Sequence, residues 1–358
     1  MSKRILILTD DLKYSCGISS YLYNFLSENK STEFEFYILC SGGDSVERFR
    51  EITPNVFIDA IYSEKKKNYL NFLMAVFKLL VFSWRHEINI VHAQNYYVAN
   101  IARYVSSINR IKTIQTHHNF FKETKKLKLM ACEYQIVVND DINQYLRDHF
   151  PDFDKDKIKT IRYGIPEYSL NFPKGNNVLK VINAGRLVPE KGTDLYLDAV
   201  KELHEDIFNL ANFYLAGEGT ETSRLLKRID DEKIKITYLG VLEPLTEYLK
   251  RTDIFIFTSH WDAEGFPMSI LEAAMCKNLI ISSNFRGLEP HFLKDFHGVT
   301  FKENDFIDLT TNIVNVINNY SSKRQFVNNF YSKINKTFSL RISIEKTLSL
   351  YMDILSDE

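Results

Sequence analysis

A chain of 358 residues is longer than one hydrophobic core usually supports, so two domains are expected. Its 45% hydrophobic and 25% charged residues exclude a disordered chain. A formal net charge of -1 provides no global field toward nucleic acid or an anionic membrane.

Met1-Ser2-Lys3-Arg4 leads directly into Ile5-Leu6-Ile7-Leu8, an apolar run too short for a signal peptide and closed by Thr9-Asp10-Asp11. It reads as a first buried strand, in a chain expected to be cytoplasmic. Short β-branched runs then alternate with stretches of helical period. In the first half the strand expectations are Arg4–Thr9, Phe34–Cys40, Ile88–His92, Lys112–His117, Tyr134–Val138 and Lys159–Arg162. In the second they are Leu179–Ala184, Asn212–Ala216, Ile234–Leu239, Ile254–Thr258, Leu279–Ser282 and Val299–Phe301. This alternation implies parallel sheets with helices on both faces. The two sets of about six strands part near Tyr163-Gly164-Ile165-Pro166, ahead of the polar loop Asn171–Asn177. Two doubly wound α/β domains facing a cleft are expected, with ligands outside the carboxyl ends of the strands. The final segment, Ser339–Ile354, reads as an amphipathic helix.

Asn68 to Trp84 is apolar apart from Lys78 and follows Lys65, Lys66 and Lys67. It falls short of the ~20 residues that span a bilayer, so a core helix is the favoured reading and a helix on a membrane surface the sharper one. The four cysteines, Cys16, Cys40, Cys132 and Cys276, form no CxxC pair and read as buried free thiols of a reducing compartment.

Four places at strand ends carry chemistry. After the first strand, Gly17 opens a helix whose start can hold an anion. In Gly185-Arg186-Leu187-Val188-Pro189-Glu190-Lys191-Gly192-Thr193-Asp194, Arg186 and Lys191 suit a diphosphate, Arg as a forked donor and Lys as a point charge. A solvated turn capped by Thr193 or Asp194 accounts for that stretch equally well. Leu215-Ala216-Gly217-Glu218-Gly219-Thr220 marks a tight turn beside the same strand ends. The most informative stretch is His260-Trp261-Asp262-Ala263-Glu264-Gly265-Phe266-Pro267-Met268-Ser269-Ile270-Leu271-Glu272-Ala273-Ala274-Met275. Pro267 suits a first helical position, and the N–H groups of Gly265, Phe266, Met268 and Ser269 suit phosphate oxygens. Glu264 precedes the helix, and Glu272 lies about 7.5 Å further along its axis at ~1.5 Å per residue. Ionised carboxylates only accept hydrogen bonds and so suit paired sugar hydroxyls. Glu272 sits among Ile270, Leu271, Ala273 and Ala274, where an unpaired carboxylate is rare.

Glu264 and Glu272 form an E-x7-E pattern within EGFPMSILEAAM. With GRLVPEKGTD upstream and LAGEGT between, nearly the whole chain resembles the family 4 retaining glycosyltransferases of glycosyltransferase group 1. The resemblance implies the glycosyltransferase B-type architecture. Residues 1–165 would be an acceptor-side domain and 166–336 a nucleotide-sugar-binding domain, with 337–358 a helix crossing back to the first domain. It implies that Arg186 and Lys191 hold the donor diphosphate and that the backbone from Gly265 through Phe266 and Pro267 to Met268 contacts phosphate and sugar, the N–H donors being those of Gly265, Phe266 and Met268. Glu264 would bind the sugar hydroxyls and Glu272 the ribose. Gly17 would approach the diphosphate, and His118 would match the strand-end histidine near the donor sugar, with His117 adjacent to it. No cofactor and no metal are expected, since Asp10-Asp11 and Asp140-Asp141 are adjacent pairs rather than Asp-x-Asp. The implied partners are a nucleotide-sugar donor, UDP-linked in the favoured reading, and a glycan or lipid-linked acceptor of cell-surface polysaccharide synthesis. Nucleic acid is not expected; peripheral contact with the inner membrane face is the alternative to a purely cytoplasmic chain.

Tyr163-Gly164 and Cys16-Gly17 depart from the family's Asn-Gly and Gly-Gly. His92, Lys122, Lys125, Lys126 and Lys128 are candidate acceptor-side groups, the lysines facing lipid phosphates or simply solvent. A catalytically silent nucleotide-sugar-binding partner and a nucleotide-sugar epimerase are the alternatives, and the missing GxGxxG disfavours a nicotinamide dehydrogenase.

Overall fold

The computed structural model describes residues 2–14, 16–109, 111–120, 132–150, 153–170, 178–260, 265, 267–284, 299–324 and 327–356. Glu264, Phe266, the Asn171–Asn177 loop and the four lysines from Lys122 to Lys128 lie outside the described residues. The chain divides into two units, Met1–Gly164 with Leu340–Glu358, and Ile165–Ser339. The expected boundaries after residues 165 and 336 therefore fall after Gly164 and Ser339. The reason is local: the Ile165 amide donates to the Phe338 carbonyl at 2.8 Å, and Ile165 bridges to Ser339. Those contacts tie the two ends of the second unit together.

The first unit runs β1 (Lys3–Leu8), α1 (Gly17–Glu28), β2 (Phe34–Cys40), α2 (Val46–Ile52), β3 (Val56–Ile58), α3 (Tyr69–Arg85), β4 (Ile90–Ala93), α4 (Tyr96–Asn109), β5 (Lys112–His117), β6 (Tyr134–Val137), α5 (Asp140–His149) and β7 (Ile158–Thr160). Its strands form one parallel sheet in the order β3-β2-β1-β4-β5-β6-β7. The second unit runs β8 (Leu179–Ala184), α6 (Thr193–Lys201), α7 (Glu205–Leu210), β9 (Ala211–Ala216), α8 (Thr222–Asp231), β10 (Thr237–Tyr238), α9 (Leu245–Leu249), β11 (Ile254–Phe257), α10 (Met268–Met275), β12 (Leu279–Ser283), β13 (Val299–Phe301), α11 (Phe306–Asn318), α12 (Tyr320–Arg324) and α13 (Val327–Thr337). Its parallel sheet has the order β10-β9-β8-β11-β12-β13. The last helix, α14 (Leu340–Ser356), belongs to the first unit.

Both sheets are Rossmann-like. The central strands are buried on both faces, which is why they read as continuous apolar runs such as Ile5-Leu6-Ile7-Leu8, none more than 1% exposed. Strand β3, absent from the sequence reading, is a short edge strand that grades from buried Val56 to exposed Ile58 and so shows no periodicity. Strand β10 is shorter than expected, because the chain turns at Ile234–Ile236 before it pairs. Three of the cysteines are buried and Cys16 is half-buried, all as free thiols.

Helix α3 departs from the core-helix expectation. Ala75, Val76, Leu79 and Ser83 pack into the unit, but Tyr69, Leu70, Leu73, Met74, Phe77, Val81 and Trp84 face solvent. Among the described residues, no helix is long and apolar enough to cross a membrane.

The first unit also buries three histidines. His92 Nδ1 meets the Tyr351 hydroxyl of α14 at 2.7 Å, and its Nε2 meets Thr116 Oγ1 at 2.6 Å. His92 thus fastens the last helix to β4 instead of presenting an acceptor-side group, since both of its ring nitrogens are engaged. Burial depresses His92 and His118 to about 3 and His117 to about 4. Each folded-state value lies below the unfolded ~6.5, so the stabilisation from the neutral rings is complete above that pH and lost as pH falls toward 4. Denaturant titrations should therefore show stability dropping between pH 7 and pH 5 by on the order of 2 kcal/mol per histidine. Unchanged stability over that interval would contradict the buried neutral cluster.

Candidate functional site

In each sheet the chain reverses its direction of winding beside its first strand, at β1/β4 and at β8/β11. Such a switch point opens a crevice at the carboxyl ends of the strands, where ligands of this fold bind. In the second unit the described loops at that point are 185–192 after β8, the turn after β9, and residues 258–260 after β11.

These loops are joined through backbone. Gly185 N–H donates to the Ala216 carbonyl at 3.1 Å, Leu187 N–H to Glu218 at 3.0 Å and Glu221 N–H to Leu187 at 2.9 Å. Gly217 holds φ +124°, and a side-chain carbon there would fall 1.8 Å from the Gly185 carbonyl oxygen, so only glycine fits. On the other side, Asn183 Nδ2 donates to the Ile256 carbonyl at 3.0 Å and to Thr258 Oγ1 at 3.2 Å, and Thr258 Oγ1 donates to the Lys191 carbonyl at 2.9 Å. Ser259 Oγ and the His260 amide both donate to the Glu190 carbonyl. Gly192 caps α6 in the left-handed conformation, φ +62°, close against Thr258. The cap expected from Thr193 or Asp194 is not formed. Asp194 instead pairs with Arg224 and Arg228 of α8 at 2.5 and 2.8 Å, which locks α6 against α8.

The site residues emerge from this frame. Arg186 is exposed, and its guanidinium makes no hydrogen bond or ion pair to a described residue. Lys191 lies at the other end of the same loop, half-buried, with its ammonium 5.7 Å from the centre of the Phe257 ring. Helix α10 begins at Met268, one residue later than expected, because Pro267 adopts an extended cap conformation, φ -73° and ψ 121°. The Ile270 amide already donates to the Pro267 carbonyl, whereas the Met268 and Ser269 amides have no described partner and remain at the positive end of the helix. Gly265 is buried.

Glu272 projects from α10 with partial solvent access. Burial, and then the charge of Glu243, pushes its carboxyl up to about 8. Tyr168, a residue of the inter-unit connection that the sequence reading passed over, lies close enough for the Glu272 charge to help raise its hydroxyl. The ammonium of Lys250 sits 5.8 Å from the Tyr168 ring centre.

The first unit gathers a second set. Gly17 is the exposed first residue of α1, and Cys16 before it supplies no side-chain cap. His118, just past β5, is 5% exposed. Its Nδ1 meets the Tyr163 hydroxyl at 2.6 Å and its Nε2 meets Gln94 Oε1 at 3.1 Å. With the Gln94 amide assigned this way, His118 is neutral, donates from Nε2 and accepts at Nδ1. His117 is held separately, by Tyr96 at 2.9 Å and Gln135 at 2.6 Å. Both rings are therefore fully engaged, and neither presents a free base. Tyr163, which stands where the family often has Asn, stacks on His118 with ring planes 8° apart. That departure from the family pattern was the one signal in the sequence for the pair.

The comparisons with known proteins fall on these two units. Residues 16–167 match the family described as Glycosyltransferase Family 4, and residues 167–333 match Glycosyl transferases group 1. An uncharacterized glycosyltransferase of Methanocaldococcus jannaschii, MJ1178, is 22% identical over 93% of this chain and 92% of its own length. The UDP-Gal:alpha-D-GlcNAc-diphosphoundecaprenol alpha-1,3-galactosyltransferase of Escherichia coli is 24% identical over 79% of each chain. Among solved structures, Anabaena Alr3699/HepE in complex with UDP and glucose superposes with TM-score 0.80 at 15% identity, covering 98% of this chain and 100% of that one. The fold is that of the B-type glycosyltransferases, two Rossmann-like domains in one chain. The protein belongs to the group 1 glycosyltransferases, with a family 4 first half, and is an enzyme of that class.

Glu272 supplies a test of the site. Its folded-state value lies above the unfolded ~4.5, so the neutral carboxyl contributes stability that is complete below that pH and lost as pH rises through about 8. Glu272→Gln keeps the neutral form, so the variant's melting temperature should gain on the parent's steadily from pH 5 to pH 8. A gain that does not change with pH would contradict the raised carboxyl.

Proposed function

We propose that this glycosyltransferase moves a sugar from a UDP-sugar to a lipid-linked or glycan acceptor, with retention at the anomeric carbon, in the building of a cell-surface polysaccharide. The observation that carries the donor assignment is the placement of Arg186, Lys191 and the Met268 and Ser269 amides, which have no partner among the described residues, on the loops and helix start at the switch point of the second sheet. All four are donors or cations, and none of them can accept a proton from a sugar hydroxyl. They suit an anion that gains charge during reaction, as the departing nucleoside diphosphate does when its bond to the sugar breaks. Preorganisation by the Asn183–Thr258–Lys191 chain lowers the cost of assembling those charges around the leaving group.

Glu272, once ionised, offers two acceptor oxygens for the paired ribose hydroxyls, and Glu264 has the chemistry to do the same for the transferred sugar. His118 acts as a positioning residue, since Gln94 and Tyr163 engage both of its ring nitrogens. Charge neutralisation by Arg186 and Lys191 is proposed to suffice without a bound metal. The uridine assignment is supported by the UDP in the Anabaena structure and the UDP-Gal donor in the name of the Escherichia coli relative. A lipid-linked acceptor is supported by the diphosphoundecaprenol in that same name. The first unit would carry the acceptor.

Arg186→Ala and Lys191→Ala should each lower transfer by about 10²–10³-fold while melting within a few degrees of the parent. UDP should raise the parent's melting temperature with a chelator present, and the rise should shrink in both variants. Full transfer by both variants would overturn the site. A melting temperature that responds to GDP or ADP in place of UDP would overturn the uridine assignment. UDP binding without transfer to any acceptor would favour a nucleotide-sugar-binding partner.

A further inference from the structure

Helix α3 is apolar on both sides, which a helix at the surface of a water-soluble unit has no reason to be. At 100° per residue, Ala75, Val76, Leu79 and Ser83 share the face that packs inward. Tyr69, Leu70, Leu73, Met74, Phe77, Val81 and Trp84 fall together on the opposite side, within an arc of about 140°. Trp84 is 82% exposed, Tyr69 80%, Phe77 67% and Leu70 66%. Tyr104 and Ile108 of the neighbouring α4 are exposed as well, and the Phe72 ring of α3 meets Tyr104 at 5.3 Å. Isolated exposed apolar side chains are ordinary, but a stripe along a whole helix marks an interaction surface.

The charges around the stripe select the partner. Lys78, paired with Asp59, and Arg85 fall at one edge of the apolar arc, and Lys65 and Lys66 stand exposed just before the helix with Lys67, which pairs with Glu64. Over residues 59–109 the basic residues are Lys65, Lys66, Lys67, Lys78, Arg85 and Arg103, and the acidic ones Asp59, Glu64 and Glu87. A second copy seated on this face would bring the two sets of cations together. A bilayer surface containing anionic lipid offers hydrocarbon to the stripe and negative headgroups to its rim. Since the inner face of α3 is committed to the core, the helix cannot turn to cross the bilayer and must lie in the plane of the interface. Tyr69 and Trp84, about 22 Å apart along the axis at ~1.5 Å per residue, are the side-chain types that settle at the headgroup level.

We propose that the outer face of α3, extended by Tyr104 and Ile108, docks the enzyme onto an anionic lipid surface. This surface belongs to the first unit and the donor residues to the second, and the proposal holds whether the acceptor is lipid-linked or a free glycan. The test is sedimentation of the full chain with phosphatidylcholine vesicles, with and without about 30% phosphatidylglycerol. Trp84 emission is followed in a Trp261→Phe background, which leaves Trp84 as the one remaining tryptophan. The expected result is pelleting with the anionic vesicles, weakened by high salt, and a blue shift of Trp84 emission. Combined Leu70→Ser, Phe77→Ser and Trp84→Ser, all at exposed positions, should reduce vesicle affinity about tenfold or more. Absence of pelleting, an unshifted Trp84, or equal pelleting by the triple variant would each overturn the proposal. So would a dimer, seen by light scattering, that the triple variant dissolves. Vesicle binding requires neither donor nor acceptor, so its failure would leave the transferase assignment untouched, and loss of transfer in the Arg186 variant would leave the docking face untouched.

Discussion

A buried chain of hydrogen bonds runs from the Asn183 amide to the Thr258 hydroxyl and on to the Lys191 carbonyl, joining the ends of two neighbouring parallel strands. The positions of the chemically useful groups in the second unit depend on it. The strands β8 and β11 bring their carboxyl ends together by register, Ile256 opposite Asn183, but register alone leaves the loops beyond them loose. Thr258 accepts from one side chain and donates to one backbone carbonyl, so the group is satisfied without water and its geometry is fixed. Arg186 and Lys191 lie on the loop so fixed. The helix whose first amides face the same crevice begins eleven residues after Phe257, at Met268.

Glu272 shows the cost of such a site. A carboxyl near the charge of Glu243 and partly withdrawn from water resists ionisation. A residue that is unfavourable in the free protein is reasonable where a ligand's hydroxyls stabilise the charged form. The histidines of the first unit behave in the opposite way. His92, His117 and His118 are neutral, fully hydrogen-bonded and buried, and their work is to hold β4, β5 and α14 in place.

Much of this was legible in the sequence. Phe34–Cys40, Lys112–His117, Leu179–Ala184 and Val299–Phe301 are strands with the expected ends, because short runs rich in β-branched and aromatic residues mark them. The positions of Arg186, Lys191 and Glu272 at or near strand ends followed from the same alternation. What the sequence did not disclose are relations across long separations: Tyr163 on His118, Tyr168 near Glu272, Tyr351 on His92. Each joins residues between 45 and 259 positions apart, or is felt only as a shifted titration, and no local periodicity encodes it. Helix α3 failed for a different reason. An apolar run predicts burial, and here half of it is buried against protein while the other half awaits a different apolar medium.

The account rests on the donor occupying the switch point of the second sheet, and hydrogen–deuterium exchange with saturating UDP tests that most directly. The prediction is slowed exchange in peptides covering residues 185–192 and 267–275, where the loop and the first amides of α10 would meet the diphosphate. Protection confined to the first unit, or no protection at saturation, would contradict it.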